Sequence, residues 1–160
     1  MILTDEQIGF TFAGRTIDYF GSKAITSDHT ALFELIKNSR DANASKVTVD
    51  FQDIGTKNAR IEVYDNGDGM SRDDIRKKWF IIGTDNREHN NRTRKGKTVW
   101  GEMGIGRMAC QKLGGKTVMT SVKKDRRIKV DFDWSRFEKS GTTVDQIKFS
   151  MPPDKVVDME

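Results

Sequence analysis

The sequence holds little of what fixes small proteins by covalent means: among its 160 residues are one cysteine, two prolines and two histidines. Cys110 alone makes no internal disulfide, and its place in an apolar run gives the expectation of a buried free thiol without a catalytic role. No stretch approaches the roughly 18 consecutive apolar residues of a membrane span. The amino terminus carries Asp5 and Glu6 where a secretory signal would be basic and then apolar, so the expected setting is the cytoplasm. Internal repeats and low-complexity tracts are absent as well.

What is present suits one soluble domain. A hydrophobic fraction of 35% over this length buries one core of ordinary size. The net charge of +4 and the sequence pI near 9.2 accompany 32% charged residues of both signs. Basic residues cluster in Arg92-Thr93-Arg94-Lys95-Gly96-Lys97 and in Lys123-Lys124-Asp125-Arg126-Arg127. Such runs are either solvated loops or part of a polynucleotide groove, and charge alone does not decide between them.

In residues 28–43, Ala31, Leu32, Leu35 and Ile36 recur at helical spacing, with Ser27 or Asp28 placed to cap the start. Residues 46–51 and 60–65 alternate as half-buried strands. A short helix is expected from Ser71 to about residue 79 and another over 103–113, which Gly114-Gly115 stops. Residues 116–122, 128–134 and 143–150 have the pattern of three further strands, and the tail from Met151, with Pro152 and Pro153, breaks it. Residues 82–100 are polar, rich in Asn and Arg, and without hydrophobic period, which marks a lid or a disordered loop. The elements together predict an α/β (α+β) two-layer sandwich: a mixed, largely antiparallel sheet covered on one face by helices.

Chemistry concentrates in three places. Glu34, Asn38 and Asp41 lie at i, i+4 and i+7 of the first helix, within roughly 60° of one another, so one face presents all three. That face is either a solvated polar stripe or a site where a carboxylate and an amide position a water and offer oxygen to a hard cation. Asp65-Asn66-Gly67-Asp68-Gly69-Met70 stands where a strand ends, and its glycines permit close backbone approach. A tight turn is one reading. A calcium loop fails on spacing, because Gly67 and Gly69 stand where side-chain oxygens are needed and Arg76 and Lys77 where the terminal glutamate belongs. Gly101-Glu102-Met103-Gly104-Ile105-Gly106-Arg107 leads into a helix, so backbone N–H groups and the helix dipole face one anion, with phosphate the natural candidate. A dinucleotide motif would need a preceding strand and a following acidic residue, and a Walker loop a closing glycine-lysine-serine or threonine.

These three elements, in this order, resemble the GHKL superfamily of gyrase, heat-shock chaperone, histidine kinase and MutL ATPases, with its Bergerat ATP-binding fold. Glu34-Leu35-Ile36-Lys37-Asn38-Ser39-Arg40-Asp41-Ala42 is similar to the family's N box, Asp65 to Met70 to its first glycine box, and Gly101 to Gly106 to its second. The resemblance covers about residues 28–113. It implies that Glu34 orients or deprotonates an attacking water, Asn38 holds Mg²⁺ on the phosphates, and Asp65 accepts the adenine amino proton. Gly67 and Gly69 would let the base approach, and Met70 would line its pocket. The amides around Gly104, Ile105 and Gly106 would hold the β- and γ-phosphates of ATP or ADP. Asp41 would support the pocket, and Thr84 and Lys97 are weaker nucleotide contacts.

Histidine kinases of this superfamily usually carry asparagine where this chain has Glu34, and His29 and His89 form no phosphoacceptor helix. The resemblance is therefore to the hydrolysing branch of gyrase, MutL, chaperone and microrchidia proteins, and Trp79-Phe80-Ile81-Ile82-Gly83-Thr84 is similar to bacterial chaperone-type ATPases. It implies an N-terminal ATP-binding fragment, residues 1–160, of a larger protein whose nucleotide-dependent homodimerisation works as a switch, with slow hydrolysis in the isolated domain. Gly141-Thr142-Thr143 is a candidate for the family's adenine-binding strand. Phosphotransfer to a protein, and a nucleotide-sensing module that binds nucleic acid through its basic lid, are the competing expectations.

Overall fold

The computed structural model describes residues 10–82, 96 and 106–157. Most of the expected lid, with Thr84, Lys97, Gly101, Gly104 and Ile105, lies outside the described residues. The described chain begins with a short helix, α1 (Arg15–Asp18), which widens into a π-helical turn over Tyr19–Lys23. Helix α2 (Asp28–Asp41) follows. Ser27 caps it by accepting the Thr30 N–H at 3.1 Å, satisfying one of the donors that a helix start leaves unpaired. The helix stops where Asn43 takes a positive φ of 63°, a conformation that asparagine tolerates better than most residues.

Strands β1 (Val47–Gln52) and β2 (Arg60–Asp65) form an antiparallel hairpin with Val47 opposite Asp65 and Gln52 opposite Arg60. Ser71 then opens α3 (Arg72–Asp74), which continues as a π-helical turn over Ile75–Trp79. A reciprocal capping box joins the Ser71 and Asp74 side chains to each other's backbone N–H. After a 3-10 turn at Gly106–Met108 come α4 (Ala109–Leu113), β3 (Lys116–Lys123) and β4 (Arg126–Asp133). A last two-residue strand, β5 (Lys155–Val156), pairs with Arg126 and Arg127. Among the described residues every pairing is antiparallel, and the strands divide into two sheets, β1-β2 and β3-β4-β5. The fold is mixed α/β with largely antiparallel strands and helices packed on them, as the resemblance implies.

One expected strand is corrected. Residues 143–150 alternate because Ile147 and Phe149 face the core, yet among the described residues no neighbouring strand takes up their backbone. Thr143 instead caps a 3-10 turn, Val144–Gln146, in a second capping box, and only an isolated bridge joins it to Ala13. Alternation reports burial of one face, and a strand additionally needs a ladder partner. The converse holds in the tail: residues past the two prolines still supply β5, because the edge of β4 offers them hydrogen-bond partners.

The main core lies on the β3-β4-β5 side. Ile128, Val130 and Phe132 of β4 point inward on alternate positions and meet Trp134, Phe137, Ile75 and Met108. The Phe132 and Trp134 rings stack with centroids 5.4 Å apart, Phe149 lies 4.9 Å from Phe132, and the buried Trp134 indole N–H donates to Thr117 Oγ1 at 2.9 Å. A smaller cluster of Ile25, Ala31 and Ala109 joins α2 to α4. Ala31 and Ala109 are fully buried, and residues this small let the two helices approach closely. That contact sets α2 beside the Gly106 turn.

Candidate functional site

Between α2 and the two sheets runs a cleft of about 1300 Å³. Glu34, Asn38 and Asp41 line it from α2; Asp65, Gly67, Gly69 and Met70 line it from the end of β2 and the segment after it; Gly106 lines it across from Glu34. Three stretches that are remote in sequence thus share one cavity. The expected site residues Thr84, Lys97, Gly101, Gly104 and Ile105 lie outside the described residues.

At one end stands Glu34, whose Oε1 accepts from Lys37 Nζ at 2.7 Å. Gly106 faces the other carboxylate oxygen so closely that a Cβ there would lie 2.9 Å from Glu34 Oε2 and 3.7 Å from Asn38 Oδ1. A side chain at position 106 would fill the space between the turn and the N-box face. Glycine leaves that space open next to backbone atoms able to meet an anion. Asp41, one turn further on, is mostly buried and lies 3.5 Å from Arg40 Nη1, in a supporting position.

Asp65 sits at the other end. Its Oδ1 accepts the Gly67 N–H at 2.8 Å and its Oδ2 the Ser39 hydroxyl at 3.0 Å. A carboxylate has about four acceptor sites, so two donors fix its plane and leave capacity for an amino group from a ligand. The surrounding loop is stitched to the end of α2. Asn66 Oδ1 accepts the N–H groups of Ser45 and Lys46, both at 2.9 Å, and its amide donates to Ser45 Oγ at 2.9 Å. Asn43 donates to Asp68 Oδ2 at 2.6 Å, and the Asp68 N–H donates to the Ala42 carbonyl at 2.7 Å. Gly67 packs against Ala42, where a Cβ would approach the Ala42 carbonyl oxygen to 2.7 Å.

Gly69 and Met70 join the two sheets. Gly69 has φ of +62°, and a Cβ on it would run into the Val122 carbonyl of β3, so both conformation and space require glycine. The next N–H, of Met70, donates to Ser121 Oγ at 2.7 Å. Just beyond, Asp74 receives Lys123 of β3 and Lys78, each at 2.7 Å, in addition to the Ser71 hydroxyl, and these donors hold its carboxyl well below the usual range. Arg107, next to Gly106, donates to the carbonyls of Lys78, Trp79 and Ile81, tying the Gly106 turn to the end of the π-helical turn.

Sequence reasoning missed Ser39, Asn43, Asn66, Ser121 and Arg107 as site-building residues. Ser121 had a readable signal, since it is a polar residue in the inward-facing series Thr117, Met119, Ser121 on β3, and it is the buried one of the three. Ser39 and Asn43 are buried polar residues on the N-box helix and just past its end, and nothing in their spacing names the partner. Thr142 and Thr143 do not line the cleft: the Thr142 carbonyl accepts the Gly14 N–H at 2.8 Å, and Thr143 bridges to Ala13. Cys110 lies against the cleft, and burial pushes its thiol up to about 11, so it stays protonated at neutral pH. Among the described residues, no helix is long and apolar enough to cross a membrane.

Comparison with known proteins points to one family. Residues 25–157 match the family described as "Histidine kinase-, DNA gyrase B-, and HSP90-like ATPase". Over 74 residues, 46% of this chain, it is 38% identical to the DNA mismatch repair protein MutL of Microcystis aeruginosa. Over 107 residues, 67% of the chain, it is 29% identical to the putative type II restriction enzyme HgiDII of Herpetosiphon aurantiacus. A 42-residue stretch is 50% identical to MutL of Lactobacillus acidophilus. These matches span 12%, 17% and 6% of the relatives' own lengths, so the chain corresponds to a small part of each.

Proposed function

Because the chain belongs to the histidine kinase-, DNA gyrase B- and HSP90-like ATPase family, which binds ATP, we propose that its cleft binds ATP with Mg²⁺ and hydrolyses it slowly. The observation that carries the reading is the convergence of Glu34, Asn38 and Gly106 at one end of a cleft whose other end holds Asp65. Asp65, fixed by Ser39 and Gly67, accepts the adenine amino group, and Met70 packs beside the base. The backbone at Gly106 meets the phosphates, with Gly104 and Ile105 as further proposed contacts. Gly101 belongs to the same proposed loop, and Thr84 and Lys97 are weaker contacts.

Among the described residues no cluster of three His, Cys, Asp or Glu forms a metal cage. A Mg²⁺ ion fits this donor set only as a passenger on the phosphates, with the Asn38 amide oxygen as its protein ligand. When bound there it neutralises phosphate charge. Glu34 orients the water, or takes its proton, at the terminal phosphate. In a larger protein, nucleotide occupancy then operates a conformational and dimerisation switch.

Calorimetric titration of ADP and a non-hydrolysable ATP analogue, with and without Mg²⁺, tests the pocket. The Asp65→Asn variant is expected to bind both at least about tenfold more weakly, since an amide NH₂ replaces an acceptor. Glu34→Ala should keep binding and lose phosphate release by on the order of 10²-fold. A folded native domain that binds neither nucleotide overturns the reading. Label from γ-labelled ATP remaining on protein would instead indicate phosphotransfer.

A second reading concerns the work done with the ATP. MutL is a DNA mismatch repair protein and HgiDII a putative restriction enzyme, and the β3–β4 turn carries Lys124, Arg126 and Arg127 exposed together. DNA is therefore the substrate class to try first, with salt-dependent binding lost on neutralising those side chains as the supporting result.

A further inference from the structure

Three cations line the cleft among the described residues, and two of them are committed elsewhere. Arg107 is engaged by the carbonyls of Lys78, Trp79 and Ile81, and Lys78 by Asp74. The third, Lys37, holds a member of the site itself: its Nζ lies 2.7 Å from Glu34 Oε1, with the two side chains only 18% and 24% exposed. The opposite oxygen of the same carboxylate faces Gly106. The Phe33 ring lies 5.9 Å from the ammonium. Lys37 therefore stands one carboxylate away from the place where phosphate is expected, in a cleft where charges are screened less than at an open surface.

We propose that Lys37 is a terminal-phosphate ligand that Glu34 holds in reserve. This rests on the nucleotide reading above. A lysine is a compact point charge with three donors on a flexible stem, so it can move from one acceptor to a nearby one without moving the helix. The terminal phosphate of a nucleoside triphosphate brings more negative charge beside Gly106 than the Glu34 carboxylate offers. The ammonium then turns to the phosphate, and Glu34 becomes able to accept from water. A diphosphate leaves that position empty and the Lys37–Glu34 pair intact. The exchange makes the domain distinguish ATP from ADP, and it links triphosphate binding to release of the carboxylate. An ordinary intrahelical pair would do neither, and its removal would leave the preference between the two nucleotides unchanged.

The test is titration of ADP and a non-hydrolysable ATP analogue, both with Mg²⁺, into native, Lys37→Met, Lys37→Arg and Glu34→Gln domains, with thermal melts to establish folding. Lys37→Met is expected to weaken the analogue about tenfold or more and ADP less than about twofold, and Lys37→Arg to retain most of the difference. Glu34→Gln, which frees Lys37 in advance, should tighten the analogue severalfold, and that gain should vanish when Lys37→Met is added. If Lys37→Met does not fold, Lys37→Gln takes its place in both the single and the double variant. Equal effects on both nucleotides, or no effect on either, overturn the proposal while the pocket stands. A native domain that binds neither nucleotide overturns the pocket itself, and this proposal with it.

Discussion

The two walls of the cleft are built on opposite principles. The β3-β4-β5 wall rests on apolar burial, with Ile128, Val130, Phe132, Trp134 and Phe137 all buried behind it. The wall formed by the β1-β2 hairpin has no fully buried residue in either strand, and Phe51 and Tyr64 stand more than half exposed. Its position comes from polar stitches instead: Asn66 to Ser45 and Lys46, Asn43 to Asp68, Ser39 to Asp65. Hydrophobic contact is strong and non-directional, whereas each hydrogen bond adds only about 0.5–1.5 kcal/mol net but fixes an angle. Stability therefore resides in one wall and the orientation of functional groups in the other. A wall that presents Asp65 and glycine amides to a ligand cannot also hide them from water.

The largest effect that would break this comparison is expected at Phe132, which is 4% exposed and in ring contact with Trp79, Phe80, Trp134 and Phe149. Phe132→Ala should cost about 3–5 kcal/mol, read by urea unfolding. A loss below about 1 kcal/mol would show that the aromatic side is not where stability lies.

Asp74 fastens α3, which follows the loop after β2, to Lys123 at the end of β3. Asp74→Asn should cost about 1–3 kcal/mol near neutral pH: Asp74 itself is 17% exposed, while Lys78 is 68% exposed and that arm is screened. The folded-state carboxyl is held below its unfolded value of about 3.9, so its contribution is present above that pH and lost as pH falls. The gap between native and variant stability should therefore narrow from about pH 5 downward. A gap that stays constant to pH 2 would assign the effect to the capping box alone.

Much of this was legible in the sequence because local rules and tertiary demands agree there. The period of residues 28–43 marked α2, and Ser27 marked its start, because an amphipathic helix with a good cap needs little help from context. The alternation of residues 60–65 gave the bounds of β2. Glu34, Asn38, Asp65 and Gly106 could be picked out because each is a residue type with chemistry of its own, and the structure brings them to one cleft. Residues 143–150 misled because periodicity records which side is buried and is silent about ladder partners. Lys37 and Ser39 escaped because an ordinary lysine or serine gains meaning only from what lies across from it. The gap between the sheets was equally hidden, as no local pattern encodes which strand edges meet.

The smallest expected effect sharpens the comparison most, since it repeats the phenylalanine deletion on the other wall. Phe51 is 55% exposed, opposite Ile61 across the hairpin, with Ile54 exposed beyond it. Truncating a ring that already meets water removes little buried area and leaves no closed cavity, so Phe51→Ala should cost less than about 1 kcal/mol in the same urea experiment. Nucleotide affinity should not change, because the polar stitches that orient Asp65 lie at the opposite end of β1 and β2. A cost near that of Phe132→Ala would mean that the outer face of the hairpin is covered in solution. The division between a stabilising wall and an orienting wall would then belong to the isolated chain alone.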